Sequence, residues 1–519
     1  MVISMKRTIK AISLILCFVF VFSAVLPAVN GIDVRDTGKA YTIINPYENV
    51  DWDAVKGYKT ALHTHTNASD GDPTLKESIE RHVETGFDIV ATTDHGTVNY
   101  SWADVNENKF IYNVMKLVGR TEGDLVYLGH EGTFDDGKNY VLTTENGDDY
   151  LYVDDCQRVM RVPYGIENNA VSVNAHVNSW FVDYHDNSIT TYSDAISGVQ
   201  KAGGVCVINH PGEYTKARYE LHSSDAYNPD SFNYWYHINK FAALLQKYDR
   251  CIGVDVNSKG DDRTRFDRIL WDRLLTRFTA NGKNVFAICS SDAHQLNKID
   301  TGFVIALLPE QTSAALSSAL LNGEFFGGSH CIGNYDELVQ IASALKEFYG
   351  ETDLYKAVSA KAEEMAERVH LIEIGELDPD SSIGVTYKVL DDDGYCTAQT
   401  QPEITSISVD KENGTITVNS ENALIVRWIS NGELIATTTS EDATFCLEDY
   451  SDKIGTYVRA EVFGEGGILY TQPFVVSDGS DVAVPVVDGG FVDFGVFDFL
   501  VAVFNNWFEI IGRFFNNII

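Results

Sequence analysis

The sequence predicts an α/β domain followed by a smaller all-β domain. Three observations carry that expectation. Between residues 57 and 331, apolar runs alternate with longer amphipathic stretches, the rhythm of strands and helices. The apolar runs are continuous rather than alternating, as in parallel strands buried on both faces. From 403 to 476 the runs shorten, alternate, and are separated by Asn413-Gly414 and Asn431-Gly432, both hairpin signals.

The chain begins with a secretory pattern. Lys6, Arg7 and Lys10 precede an apolar run over 12–21, and Ser23, Ala24 and Ala28 follow. We assign 1–31 to a signal peptide, which implies a secreted or extracellular protein, free or attached to the cell surface. The whole chain has 519 residues, with 39 Lys and Arg against 75 Asp and Glu, a net charge of −36. So acidic a chain is a poor partner for duplex nucleic acid. It does not exclude a small phosphorylated substrate, because bound metal ions would reverse the local field. Eight cysteines without regular spacing, one of them Cys17 in the signal, give no disulfide framework. Cys206, Cys251 and Cys289 read as buried thiols, and Cys396 could pair with Cys446 outside the cell.

The expected strands of the α/β domain cover 58–62, 87–92, 125–128, 171–174, 204–208, 251–256 and 285–288. Helices are expected over 75–84, opened by Asp72-Pro73-Thr74, and over 269–278. Each strand ends in chemistry-bearing residues. The first runs into His63-Thr64-His65, whose side chains share one face of an extended chain, and Asp70 follows a short turn. The second ends in Asp94-His95, the third in His130-Glu131, the fourth in His176 and the fifth in Asn209-His210. The sixth carries Asp255 and Asn257, and the seventh ends in Asp292-Ala293-His294. Imidazoles and carboxylates gathered at one end of a sheet suit Zn, Mn or Fe.

The order His-x-His, Ser-Asp-Gly, Thr-Asp-His-Gly, a lone Glu, His, Asn-His-Pro-Gly and Ser-Asp-Ala-His resembles the polymerase and histidinol phosphatase (PHP) family, over roughly 57–331. The resemblance implies a distorted (β/α)7 barrel with two or three divalent metal ions. His63, His65, Glu131 and Asp292 would hold one. Asp70, His95 and His294 would hold another. His176 and His210 would complete a third position, with Glu131 bridging. It also implies phosphoester hydrolysis by a metal-bridging hydroxide, with Glu131, Asp292 and His294 as the catalytic residues. An aspartate at position 70 matches the phosphodiesterase-type members. Two other readings stay open: a cell-surface binding module with a degenerate metal barrel, and a metal-dependent amide or ester hydrolase.

The remaining residues read more plainly. Asp94 either orients a ligand histidine or caps a turn, and Asn209 orients its neighbour His210. Lys216 and Arg218, after the His210 loop, could hold a substrate phosphate or be solvated. Arg263 and Arg265 repeat that idea more weakly. His82 is expected on a helix surface. Aromatic segments over 132–173, 177–200 and 214–235 would either wall the active face or pack over it.

We place the α/β barrel domain at 32–334 and a helical connecting segment at 335–400, with helices over 337–348 and 354–369, the second capped by Asp353. An immunoglobulin-like sandwich follows at 401–477, with Trp428 and Tyr457 in the places of its core tryptophan and corner tyrosine. The final 478–519 is a linker and an amphipathic tail. Its Phe497, Leu500, Val501, Phe504, Phe508, Ile511, Phe515 and Ile518 share one helical face, which suits a membrane interface or a protein surface.

Overall fold

Lys56–Ala61 and Ile89–Val90 pair in parallel, Thr60 opposite Ile89, and the helix Leu75–Glu84 connects them. That helix starts where local chemistry dictates. Thr74 accepts a hydrogen bond from the Glu77 amide, and the Glu77 carboxylate accepts from Thr74, a capping box. The computed structural model describes residues 41–154, 157–168, 175–185, 191–377, 386–480 and 482–492. The signal segment, the expected strand 171–174 and the tail beyond 492 lie outside the described residues.

The described chain is mixed α/β with large open sheets. One sheet holds Ile166–Asn168, Val177–Trp180, Val205–Ile208, Cys251–Asp255 and Phe286–Ile288. The last three are parallel, as expected. Val177–Trp180 runs antiparallel to both neighbours. The link back from Ile166–Asn168 is too short for a parallel crossover, which needs roughly a dozen residues or more. His176 therefore precedes its strand instead of ending one, and still lies at the same end of the sheet.

The larger sheet continues from Lys56–Ala61 through Ile89–Val90 to Gln157–Arg161, and then through the antiparallel strands Asp148–Val153, Asn139–Glu145 and Glu131–Thr133. Two isolated parallel bridges, Thr64–Ala293 and His95–Glu167, bring the two sheets together. Leu62, Ile89, Ala91, Val207 and Ile288 form one buried core below them.

The expected third strand over 125–128 is absent. The segment 132–161 supplies a meander, and its last strand takes the third parallel place beside Ile89–Val90. Arg158 and Arg161 interrupt the apolar pattern there, which hides the strand from a search for continuous runs.

The strands between 403 and 477 arise as the hairpin signals predict. Asn431 and Gly432, with φ of 53° and 77°, turn Ile425–Ser430 into Glu433–Thr439. A three-stranded sheet, Glu403–Asp410, Thr415–Glu421 and Thr444–Cys446, packs on this hairpin, and Trp428 stacks on Phe445 with centroids 5.0 Å apart. Gly467–Tyr470 also pairs with Phe325–Ser329, so these strands extend the larger sheet. Tyr457 reaches Asp272 Oδ1 at 2.7 Å. The two helices are Tyr335–Tyr349 and Asp353–Glu373, and Thr352, not Asp353, caps the second. Cys396 and Cys446 are free thiols. No helix among the described residues is long and apolar enough to cross a membrane.

Candidate metal centre

His63 and His65 leave the Lys56–Ala61 strand in extended form, so both rings face one point. Their Nε2 atoms are 3.1 Å apart, and both side chains are fully buried. Asp292 Oδ1 lies 3.3 Å from His63 Nε2 and 3.1 Å from His65 Nε2. Glu167 Oε2 lies 3.4 and 3.2 Å from the same two atoms. Each carboxylate oxygen thus forms a triangle with the two Nε2 atoms whose edges lie near the ~3.3 Å expected between neighbouring ligands of an ion bonded at about 2.0–2.1 Å.

Glu167 has a second face. Its Oε1 lies 3.1 Å from His176 Nδ1 and 3.3 Å from His210 Nε2. His95 Nδ1 approaches Oε2 at 3.0 Å, and its Nε2 is 3.7 Å from Asp70. Asp70 in turn stands 3.4 Å from His294 Nε2. The structure thus brings together His63, His65, Asp70, His95, His176, His210, Asp292 and His294.

Glu131 is not among them. It is exposed on Glu131–Thr133, opposite Val141, and the carboxylate between the histidines belongs to Glu167. Glu167 sits just past Pro163-Tyr164-Gly165, a bend with Tyr164 at φ 58° that splits its strand from Gln157–Arg161. Its one sequence signal is a lone carboxylate in the apolar segment 159–167. Lys216 is exposed, and Arg218 is buried over the Tyr219 ring. His130 is exposed and His82 is fully buried, not on the surface.

The donor set fits divalent ions. Glu167 Oε2 and both Asp292 oxygens are buried and accept no well-aligned hydrogen bond, a costly state unless a cation joins them. The ligand residues are held from behind. Asp255 Oδ2 accepts from Ser290 Oγ at 2.5 Å and lies 3.7 Å from His63 Nδ1, turning Nε2 inward. Glu213 lies 3.7 Å from His210 Nδ1, beyond hydrogen-bond distance. Asp94 does not touch a ligand ring. It accepts from the Thr66 amide and hydroxyl, each at 2.8 Å, and from Ser69 Oγ at 2.7 Å, which caps the loop after His65. Gly71 is required there: a Cβ would meet the His65 backbone at 2.8 Å. Asn209 orients Glu167, not His210, by donating to Oε1 at 2.7 Å.

The charges respond to one another. Burial disfavours protonation of His63, but Asp292 and Glu167 outweigh it and hold its pKa at about 9. Burial pulls His95 down to about 3. Glu167 and Asp292 lie well below the usual carboxylate range; burial opposes this, and the surrounding imidazoles, with Lys259 beside Asp292, overcome it.

Lys259 is a site residue that no motif announces. Its Nζ lies 2.9 Å from Glu213 Oε1 and 3.0 Å from Asp292 Oδ2.

No family model and no curated protein matches the sequence. One similar solved structure is a two-domain protein containing a predicted PHP-like metal-dependent phosphoesterase from Bacteroides vulgatus ATCC 8482. The likeness has 14% identity and a TM-score of 0.31, over 87% of this chain and 91% of that one. A TM-score that low adds nothing to what the residues carry.

Proposed function

We propose that the chain is a metal-dependent phosphoesterase of the PHP type, hydrolysing a phosphomonoester or phosphodiester on a distorted (β/α)7 barrel. The observation that carries this reading is Glu167, one carboxylate whose two oxygens serve two different groups of imidazoles. Such a carboxylate is what two neighbouring divalent ions require. The bridges Thr64–Ala293 and His95–Glu167 support the barrel, because they join the two open sheets at both seams.

His63, His65, Glu167 and Asp292 would hold one ion, and Glu167, His176 and His210 a second. Asp70, His95 and His294 would hold a third. Bound ions would act as Lewis acids on a phosphoryl oxygen and lower the pKa of water. The protein keeps the ligand rings aimed and the base of the site dry. Where that third ion is absent, His294, 32% exposed at the rim, would assist the leaving oxygen in its place. The same reading includes export by the 1–31 signal, an immunoglobulin-like accessory region at 401–477 and a membrane-seeking tail within 478–519. Packing about Trp428 supports the second of these.

The test is turnover of an aryl phosphomonoester and an aryl phosphodiester, side by side, by the full chain loaded with Mn or Zn. Metal-dependent release that vanishes in Asp292→Ala is expected. Bound metal without release from either ester would favour an amide or ester hydrolase, or a binding module.

A further inference from the structure

The segment Asn257-Ser258-Lys259-Gly260-Asp261 follows the Cys251–Asp255 strand in a conformation that L-residues avoid. Asn257, Lys259, Gly260 and Asp261 have φ of 110°, 54°, 65° and 61°. Glycine adopts this region freely and asparagine tolerates it; lysine gains nothing there from local folding. Strain of this kind persists only where the surroundings hold it.

The surroundings are a buried clamp. Arg268 grips both Asp261 oxygens at 2.9 Å and donates to Asn257 Oδ1 at 2.5 Å. The Gly333 amide donates to Asp261 Oδ2 at 2.6 Å. The Lys259 amide donates to Ser291 O at 3.2 Å, tying the loop to the residue before Asp292. The outcome is a lysine ammonium fixed at the edge of the candidate metal centre with its side chain 28% exposed. Glu213 accepts one hydrogen bond from it at 2.9 Å. Asp292 Oδ2 is close enough for an ion pair but not aligned for a hydrogen bond. An ammonium has three N–H donors, so the mouth of the site keeps donor capacity.

A fixed cation beside a carboxylate that serves divalent ions works against holding those ions. The arrangement is favourable when an anion joins both. Arg263 adds a second cation on the same side, 53% exposed and 3.9 Å from Glu213. We propose that Lys259 binds the terminal phosphate of a phosphomonoester and that the 257–261 loop exists to hold it there. This rests on the phosphoesterase reading. A terminal phosphate carries about −1.5 to −2 charge near pH 7, where a diester carries a single charge, so two cations favour the monoester.

The test is calorimetric titration of the metal-loaded full chain with inorganic phosphate and with dimethyl phosphate, alongside elemental analysis. Lys259→Met should weaken phosphate binding at least tenfold, affect dimethyl phosphate less, and leave the metal content unchanged. Lys259→Arg should restore most of the loss. Phosphate affinity within twofold of wild type in Lys259→Met would overturn the proposal. So would loss of metal, which would make Lys259 a structural support, or an equal loss for both anions. Phosphate binding that depends on Lys259, in a wild-type protein that hydrolyses no ester, would sink the phosphoesterase reading alone.

Discussion

Asn209 donates its side-chain amide to Glu167 Oε1 at 2.7 Å and to Asn178 Oδ1 at 2.9 Å. That fork fixes the plane of the Glu167 carboxylate, and with it which oxygen faces which histidines. Asn209 precedes His210 in sequence, so one strand end supplies both a metal-ligand candidate and the residue that aims the shared carboxylate.

Asn209→Ala should therefore weaken metal binding without removing any ligand. Loss of such a supporting partner typically costs about 10–100-fold in metal affinity or activity. Asp255→Ala should do the same through His63. Competition against a chelator of known affinity measures both. Wild-type affinity in both variants would show that these contacts do not orient the site.

A second expectation concerns acid stability. Burial lowers the His82 pKa to about 4, with Nδ1 against Ser78 O at 2.7 Å and Nε2 lacking a partner. Between the folded value and about 6.5 in the unfolded chain, the unfolded state binds the proton and the folded state does not. Stability contributed by neutral His82 is thus complete above about 6.5 and is lost as the pH falls towards 4. The contribution is on the order of 3 kcal/mol. His82→Leu should flatten the rise of unfolding free energy between pH 4.5 and 7. An unchanged slope in denaturant titrations would mean that other groups set it.

The third expectation tests how the strands of 403–477 are attached. Glu337, in the Tyr335–Tyr349 helix, accepts from Arg268 at 2.6 Å and from Arg427 at 2.9 Å. Arg427 also pairs with Glu461, and Arg459 joins Glu461 to Asp272. All are buried. Removing Glu337 takes one partner from each of Arg268 and Arg427, which keep Asp261 and Glu461, at a cost of about 1.5–3 kcal/mol. Glu337→Ala should lower the unfolding free energy by that amount and also loosen the loop that carries Lys259, through Arg268. A change below about 1 kcal/mol would show that the network is not a structural joint.

Where sequence patterns are local, they predict this structure well. The Leu75–Glu84 helix follows from Thr74 and Glu77, and the turn at Asn431-Gly432 follows from the need for two positive φ values. Apart from those of the absent third strand, the ligand candidates at the ends of the expected strands converge because the sheets deliver them to one end, whichever way a strand runs, as His176 shows. Glu167 was illegible because Tyr164 bends its strand into two short pieces and charged residues interrupt the first. Glu131, at the end of an apolar run, presents a clearer but misleading pattern. Lys259 depends on a loop held by Arg268 in the following helix and by the Gly333 amide far along the chain, side-chain contacts that no local pattern encodes.

If Glu167, not Glu131, joins the candidate ligands into one metal centre, bound metal should depend on the first carboxylate and not on the second. The most direct measurement is the metal content of the full chain after loading with Mn or Zn and exhaustive dialysis, for the wild type, Glu167→Gln and Glu131→Gln. Two or three ions per chain are expected in the wild type and in Glu131→Gln, with at least one lost in Glu167→Gln. No bound metal in the wild type, or loss in Glu131→Gln with retention in Glu167→Gln, would show that Glu167 does not join a metal centre.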